Sequence, residues 1–417
     1  MTGVALESAV PAIPLGLPVL IKMAFDGVDL APLWNELVGR AKNDPHDAAA
    51  LIDLSTIAHI QGRPKDRAIL QTWALELQRL YRQPPAPAAP ESIRVLAFMA
   101  PGDFMANMPI GFLLEGSNIT LDMVYVLPGR PLPRPLPEHD VALVAVAESK
   151  ENQALLRQIT AIARSWPRPV VNSSQHIARL TRDGTWALLK SVPGVEIPIN
   201  ARIDRSGFER IAVGHATIEH ALEGGTFPII ARPIDSHAGE GLCKLECAAD
   251  VDAYLRERAE PEFYIAPFVD YRGHDGLFRK YRIALIDGRP YAVHMAISDH
   301  WMIHYLNADM TGSAEKRAEE ARFMATFDED FADRHAAALG VIAERIGLDY
   351  IPLDCGETRD GKLLVFETGT NMIVHSMDSP DLFPYKQPQM EKVFGAFQAM
   401  LRKRVGPVER AVEADAA

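Results

Sequence analysis

The tract QPPAPAAPE at 83–91 constrains this chain more than any other feature. Its prolines fix φ and withhold backbone N–H groups, so neither a helix nor a central strand runs through it. It is a stiff linker, and the residues on either side must find their own burial. The full length of 417 residues exceeds what one core usually serves, which fits a division into several. Hydrophobic residues make up 48% and charged residues 24% of the chain, the balance of a folded globular protein.

Before the linker, the apolar stretch at 9–25 carries Pro11, Pro14 and Pro18 and follows Glu7 without a basic segment. It fits neither a signal peptide nor a membrane span, so residues 1–29 are expected to form an extended arm. Over 30–82 the pattern turns helical. Leu33, Trp34, Leu37 and Val38 recur at three and four, as do Leu51, Leu54, Ile57 and Ala58, and then Leu70, Trp73, Ala74 and Leu77 after the break Gly62-Arg63-Pro64. Helix, short turn, helix, with small residues at the contacts, resembles about one and a half tetratricopeptide units. So short an array cannot bury its own face. It is expected to dock on the rest of the chain or on a second copy, which makes a homo-oligomer one of two readings.

After the linker, IRVLAFMA (93–100), LDMVYVL (121–127), DVALVAVAE (140–148) and PVVN (169–172) are short apolar runs, with a helical stretch at 152–166. They predict a small parallel sheet over 92–178, Rossmann-like but without a GxGxxG turn. Counting 43 Lys+Arg against 55 Asp+Glu leaves a net charge of -12, so no global field exists to hold a polyphosphate backbone, and nucleic acid is not an expected partner. Three cysteines, Cys243, Cys247 and Cys355, make no disulfide framework and point to a reducing, cytoplasmic location.

Four features then follow in order. FPIIARPIDSHAGEGLCKL (227–245) is strand, small-residue loop, strand, with Arg232 before a loop containing Gly239 and Gly241; such a loop can close over phosphates. EFYIAPFVD (262–270) offers a Pro267 carbonyl and a Val269 N–H to an adenine edge, and Asp270 to a ribose. FRKYRIALIDGRPYAVHMAIS (278–298) is a hairpin turned at Asp287-Gly288, with Arg282 the only guanidinium on its face. LDYIPLDCGETRDGKLLVFETGTN (348–371) is a second hairpin, turned at Asp360-Gly361, that sets Asp354 beside Glu367. Two adjacent carboxylates in apolar runs repel unless a cation lies between them, and Mg²⁺ takes oxygen ligands.

This order of elements resembles the ATP-grasp superfamily over roughly 92–405. The resemblance implies an α/β fold with a Rossmann-like pre-domain and an ATP-grasp domain over 179–405, its lid part about 195–275 and its catalytic part about 276–405. It also implies ATP and Mg²⁺, with a small-molecule carboxylate and an amine or other nucleophile as substrates. Arg232 stands at the place of a phosphate-binding lysine, and Ser236, His237, Gly239 and Gly241 in the phosphate-covering loop. Pro267, Phe268 and Val269 stand in the adenine hinge, with Asp270 after them. Arg282 stands at the terminal phosphate, and Asp354, Glu367 and Asn371 at the metal. Three positions depart from the family pattern: Gly184 after Asp183 replaces a lysine, Gly369 replaces the asparagine two residues beyond the glutamate, and Pro352 replaces an arginine. Asn371 is expected to take over from Gly369 across a bulge.

His294, His300 and His304 fall at even spacing, which on a strand puts them on one face as a substrate surface rather than a zinc site. The charged segment 308–324 reads as a solvated helix, 374–390 as a segment ordering the acceptor, and 406–417 as a mobile tail. The expected activity is ligation through an acyl phosphate, releasing ADP and phosphate. Its rivals are a phosphotransferase of the same fold and a non-catalytic nucleotide-binding scaffold.

Overall fold

The computed structural model describes residues 10–85, 92–236 and 239–405. Most of the linker, His237 in the glycine loop, and the tail expected at 406–417 lie outside the described residues. The chain forms two units: one from Met1–Val146, Arg157–Ser174 and Phe394–Ala417, the other from Ala147–Leu156 and Gln175–Val393.

In the first unit Gly16, at φ +86°, turns the chain into a helix at Leu17–Phe25, where an extended arm was expected. Pro18 sits in the first turn of that helix, where its missing N–H costs nothing. Helices Ala31–Asn43, Ala48–Ile60 and Pro64–Leu77 follow. Asp47 caps the middle one by accepting the Ala50 N–H at 2.8 Å. The middle helix is apolar nearly all round because it is covered on two sides. Leu54 and Ile57 pack with Leu20 and Leu37, and Leu51 and Ile52 pack with Tyr81, Met123 and Tyr125.

Those last residues belong to a five-stranded sheet. Its strands are β1 (Leu80–Gln83), β2 (Ile93–Met99), β3 (Ile119–Tyr125), β4 (Val141–Val144) and β5 (Val170–Val171), in the order β1-β3-β2-β4-β5. Strands β2 to β5 are parallel, the Rossmann-like arrangement expected. Strand β1 is the exception. The sequence reading divided its residues between the helical segment and the linker, yet they pair antiparallel with β3. Arg82 meets its cross-strand partner Asp122, which is fully buried, at 2.7 Å. A helical period cannot foresee this, because the partner strand lies forty residues away.

In the second unit the run VEIPINARI divides into β6 (Val195–Glu196) and β7 (Ala201–Asp204), which join different sheets. Pro198 lies between them and cannot donate to a ladder. Strand β7 pairs with β10 (Glu262–Pro267), which pairs with β8 (Ile229–Pro233), which pairs with β9 (Cys243–Leu245), all antiparallel. The other sheet runs β12-β11-β13-β14-β6, from β11 (Phe278–Ile286), β12 (Arg289–Ser298), β13 (Tyr350–Glu357) and β14 (Leu363–Thr368). Asp287 and Gly288 both take positive φ, 49° and 79°, as the two-residue hairpin turn requires. Among the described residues no helix is long and apolar enough to cross a membrane.

Candidate functional site

Side chains alternate along β11, so Lys280 and Arg282 leave one face and Arg279 the other. Arg279 is taken up by Asp275, at 2.7 Å, and by Glu319. On the opposite face the register sets His294, Arg282, Asp354 and Glu367 in one row across four strands. Asp354 is fully buried; Arg282 grips it through Nε at 2.7 Å and a terminal nitrogen at 3.0 Å, and Lys280 Nζ reaches it at 2.6 Å. Burial raises the Asp354 pKa, but Arg282 and Lys280 outweigh it and hold the carboxyl far below the carboxylate range. Burial also opposes ionisation of Glu367, yet Arg182 and Arg232 bring its pKa to about 2. Glu367 pairs with Arg182 and stands 3.9 Å from Arg232. Two carboxylates thus face four cations, and the surplus positive charge suits a polyanion.

Arg232 reaches this row from β8. Its Nε donates to Ser236 Oγ at 3.1 Å, and a terminal nitrogen donates to the Ser236 carbonyl, so the loop start is tied to the guanidinium. Burial and then Arg182 pull its pKa down to about 10, which leaves it charged at neutral pH. Gly241, at φ +65°, has no room for a side chain: a Cβ there would stand 2.6 Å from Pro233 Cδ. A Cβ on Gly239 would stand 3.4 Å from the His304 ring, so the loop lies against the 300–305 segment.

The hinge is partly engaged already. Pro267 ends β10 opposite Ile229, and the Phe268 N–H donates to the Pro228 carbonyl at 3.1 Å. Lys244 Nζ stands 4.1 Å from the Phe268 ring centroid, a cation at the hinge that the sequence reading missed. Val269 packs on the cluster of Tyr271 and Phe278. Asp270 is bound by Arg272, Nε to Oδ1 at 2.9 Å, which lowers its pKa to about 2.

The departures from the family pattern have local causes. A side chain at Gly184 would begin 2.2 Å from the Arg179 carbonyl oxygen, so no lysine fits there. The cation comes instead from Arg182, two residues earlier, which the sequence reading passed over. Strand alternation already puts Lys280 on the face of Arg282, but the sequence reading assigned it no role. The bulge expected between Glu367 and Asn371 is not there; it falls earlier, where the partners step from Asp354–Glu367 to Cys355–Val365. Beyond Thr368 the chain turns, with the Met372 N–H donating to the Gly369 carbonyl at 3.4 Å. Asn371 Oδ1 then lies 2.7 Å from where a Cβ on Gly369 would be, so the amide fills the space a side chain at 369 would occupy. Asp354, Glu367 and Asn371 offer only oxygen on their ligating sides. Among the described residues no group of three or more His, Cys, Asp or Glu gathers. Two carboxylates and an amide fit Mg²⁺, which commonly takes its remaining oxygens from phosphates and water.

The three histidines do not share a strand face. Strand β12 ends at Ser298, and only His294 lies on it. Burial and Arg282 hold His294 neutral, and its Nδ1 is buried without a hydrogen-bond partner. Nor is the charged helix Ala314–Ala325 wholly solvated, since Glu320 is fully buried. It accepts from the Met295 N–H at 3.0 Å and from the Tyr305 and Tyr385 hydroxyls at 3.0 and 2.7 Å, with Lys386 Nζ at 3.5 Å. That network absorbs Tyr385, Lys386 and Asp378 of the 374–390 segment.

Among solved structures the chain is similar to the D-Ala:D-Ser ligase VanG of Enterococcus faecalis, with 13% identity and a TM-score of 0.46 over 74% of this chain and 100% of that one. It is also similar to an ATP-grasp RimK domain protein of Sphaerobacter thermophilus, at 16% and 0.41 over 74% and 99%. A third similar structure is the D-alanine–D-alanine ligase of Bacillus anthracis complexed with ATP, at 14% and 0.42 over 75% and 98%. No family model matches the chain, and no curated protein does. Likenesses at this level locate no residue, and the site stands on its own geometry.

Proposed function

We propose that this chain is an ATP-dependent ligase that joins a small-molecule carboxylate to an amine or another nucleophile, releasing ADP and phosphate. The observation that carries the proposal is the row in which the buried Asp354 and the half-buried Glu367 are each held by two cations. Such a surplus serves phosphoryl transfer, where the protein's task is to position charge and neutralise it as it develops. Arg282 and Arg232 meet the transferred phosphoryl group. Ser236, Gly239 and Gly241 cover the phosphates, and the loop's contact with the His304 segment excludes water from an acyl phosphate that would hydrolyse. Pro267, Phe268 and Val269 receive the adenine, and Asp270 the ribose once Arg272 yields. Asp354, Glu367 and Asn371 would hold Mg²⁺, which would supply positive charge against the phosphates of ATP. Attack by the nucleophile on the acyl carbon expels phosphate, and no protein nucleophile is needed.

The test is ADP and phosphate release with purified protein, ATP and a matrix of amino acids and small acids. A ligase forms free phosphate only when carboxylate and nucleophile are both present. Phosphate retained on a single substrate would make the enzyme a phosphotransferase, and no turnover with any pair would leave a scaffold.

A further inference from the structure

The first unit holds a cavity of about 150 Å³, walled by loop 14–18, the helices Ala48–Ile60 and Pro64–Leu77, and the ends of β2 and β3. A cavity of about this volume takes a molecule of benzene's size. Its polar groups fall into two sets. At one side lies Asp53, with 1% of its surface exposed. Its oxygens accept the Leu15 and Gly16 N–H groups at 2.8 and 3.0 Å, and no described cation pairs with it. Burial raises its pKa to about 6 against the two N–H groups and the weaker pull of Arg40, a cation that is itself paired with Asp47. Tyr125 lines the same cavity, its hydroxyl makes no hydrogen bond among the described residues, and burial pushes its pKa up to about 12.

The other side carries Arg67 beside His59, with the acid Asp103 also in the wall. Arg67 makes a single side-chain hydrogen bond, to Gln71 Oε1 at 3.3 Å, leaving most of its donors uncommitted among the described residues. Gln71 is itself tied to Gly102, donating at 2.9 Å and accepting at 2.8 Å. His59, held neutral by burial, touches Phe104 edge-on and carries no hydrogen bond among the described residues. Asp53 and His59 lie on one helix, six residues and hence roughly 9 Å apart along it.

We propose that this cavity binds a small amino-acid zwitterion, its ammonium against Asp53 and the Tyr125 hydroxyl and its carboxylate against Arg67 and His59. An unpaired buried acid at one side and an under-used guanidinium at the other complement a ligand carrying both charges, and neither a simple amine nor a simple acid satisfies both.

The experiment is isothermal titration and thermal melting of the full-length protein with the common α-amino acids and with β-alanine and 4-aminobutyrate. Ethylamine and propionate serve as single-charge controls. We expect saturable one-site binding of at least one zwitterion at millimolar concentration or below, with both controls at least about tenfold weaker. Arg67→Gln and Tyr125→Phe, which break no other structural contact of consequence, each weaken it about tenfold or more. Asp53→Asn does so more strongly, and is read only if its circular dichroism is native. Glu367→Gln, in the other unit, leaves the affinity unchanged. Absence of saturable binding across the whole panel overturns the proposal. So does binding that survives Arg67→Gln and Tyr125→Phe, or binding that disappears in Glu367→Gln alone.

Discussion

Asp354 is where charge and stability meet, because it is fully buried and answers two cations. Asp354→Asn is therefore expected to cut turnover at least about a hundredfold. It should also destabilise the fold by about 3–5 kcal/mol, since Arg282 and Lys280 would remain buried without an anion. Glu367→Gln should cost similar activity but little stability, its side chain being 35% exposed. Equal melting temperatures for the two variants, measured beside turnover, would contradict this difference. His375 supplies a pH effect. Burial lowers its pKa from 6.5 to about 4, so between those values the unfolded chain takes up a proton that the folded chain refuses. Stability then rises with pH across that window, by at most about 3 kcal/mol for this group. Urea titrations from pH 4 to pH 8 should show a flatter profile for His375→Gln. Arg282 was legible because strand alternation is a local rule, whereas Asp354 meets Glu367 only through the bulge between that pair and Cys355–Val365. Arg182 was not legible, since it reaches Glu367 from a helix 185 positions away in sequence.

At the scale of elements, the loop between β8 and β9 owes its shape to Gly241 packed on Pro233. Gly241→Ala should raise the KM for ATP severalfold with the fold retained; an unchanged KM would mean the loop does not cover the nucleotide. The turn after β14 makes a second case. Placing an asparagine at this position with Gly369→Asn is expected to lower activity, because the new side chain would displace Asn371. Recovery of activity would instead show that 369 is the position facing the metal. The first hairpin could be read from its Asp287-Gly288 turn, because a two-residue turn fixes register; the second closes over three residues, 359–361, between Thr358 and Lys362. The helix at Leu17–Phe25 could not be read, since three prolines argue for extended chain unless one of them falls in a helix's first turn. Likewise the buried Glu320 sits in a segment whose composition alone argues for solvent.

Across the whole molecule, the helical segment before the linker and the five-stranded sheet fall in one unit, and the attachment that joins them is what composition hid. Strand β1 ties the helical segment to β3 through four residue pairs. Deleting residues 1–88 would strip that edge and uncover Met123, Tyr125 and Leu127. The truncated protein is expected to aggregate in light scattering. A soluble truncation with native melting would mean that the helices are an independent module. The same pairing has a temporal side. During synthesis the helical segment leaves the ribosome before the strand it must meet, and Leu80 waits for Val124 to be made. At ~5–20 residues per second that interval is roughly 2–9 s. Through it, the faces of Leu51, Ile52 and Leu75 have no sheet to rest on. Newborn chains are therefore most open to chaperones, and to one another, before the third strand emerges.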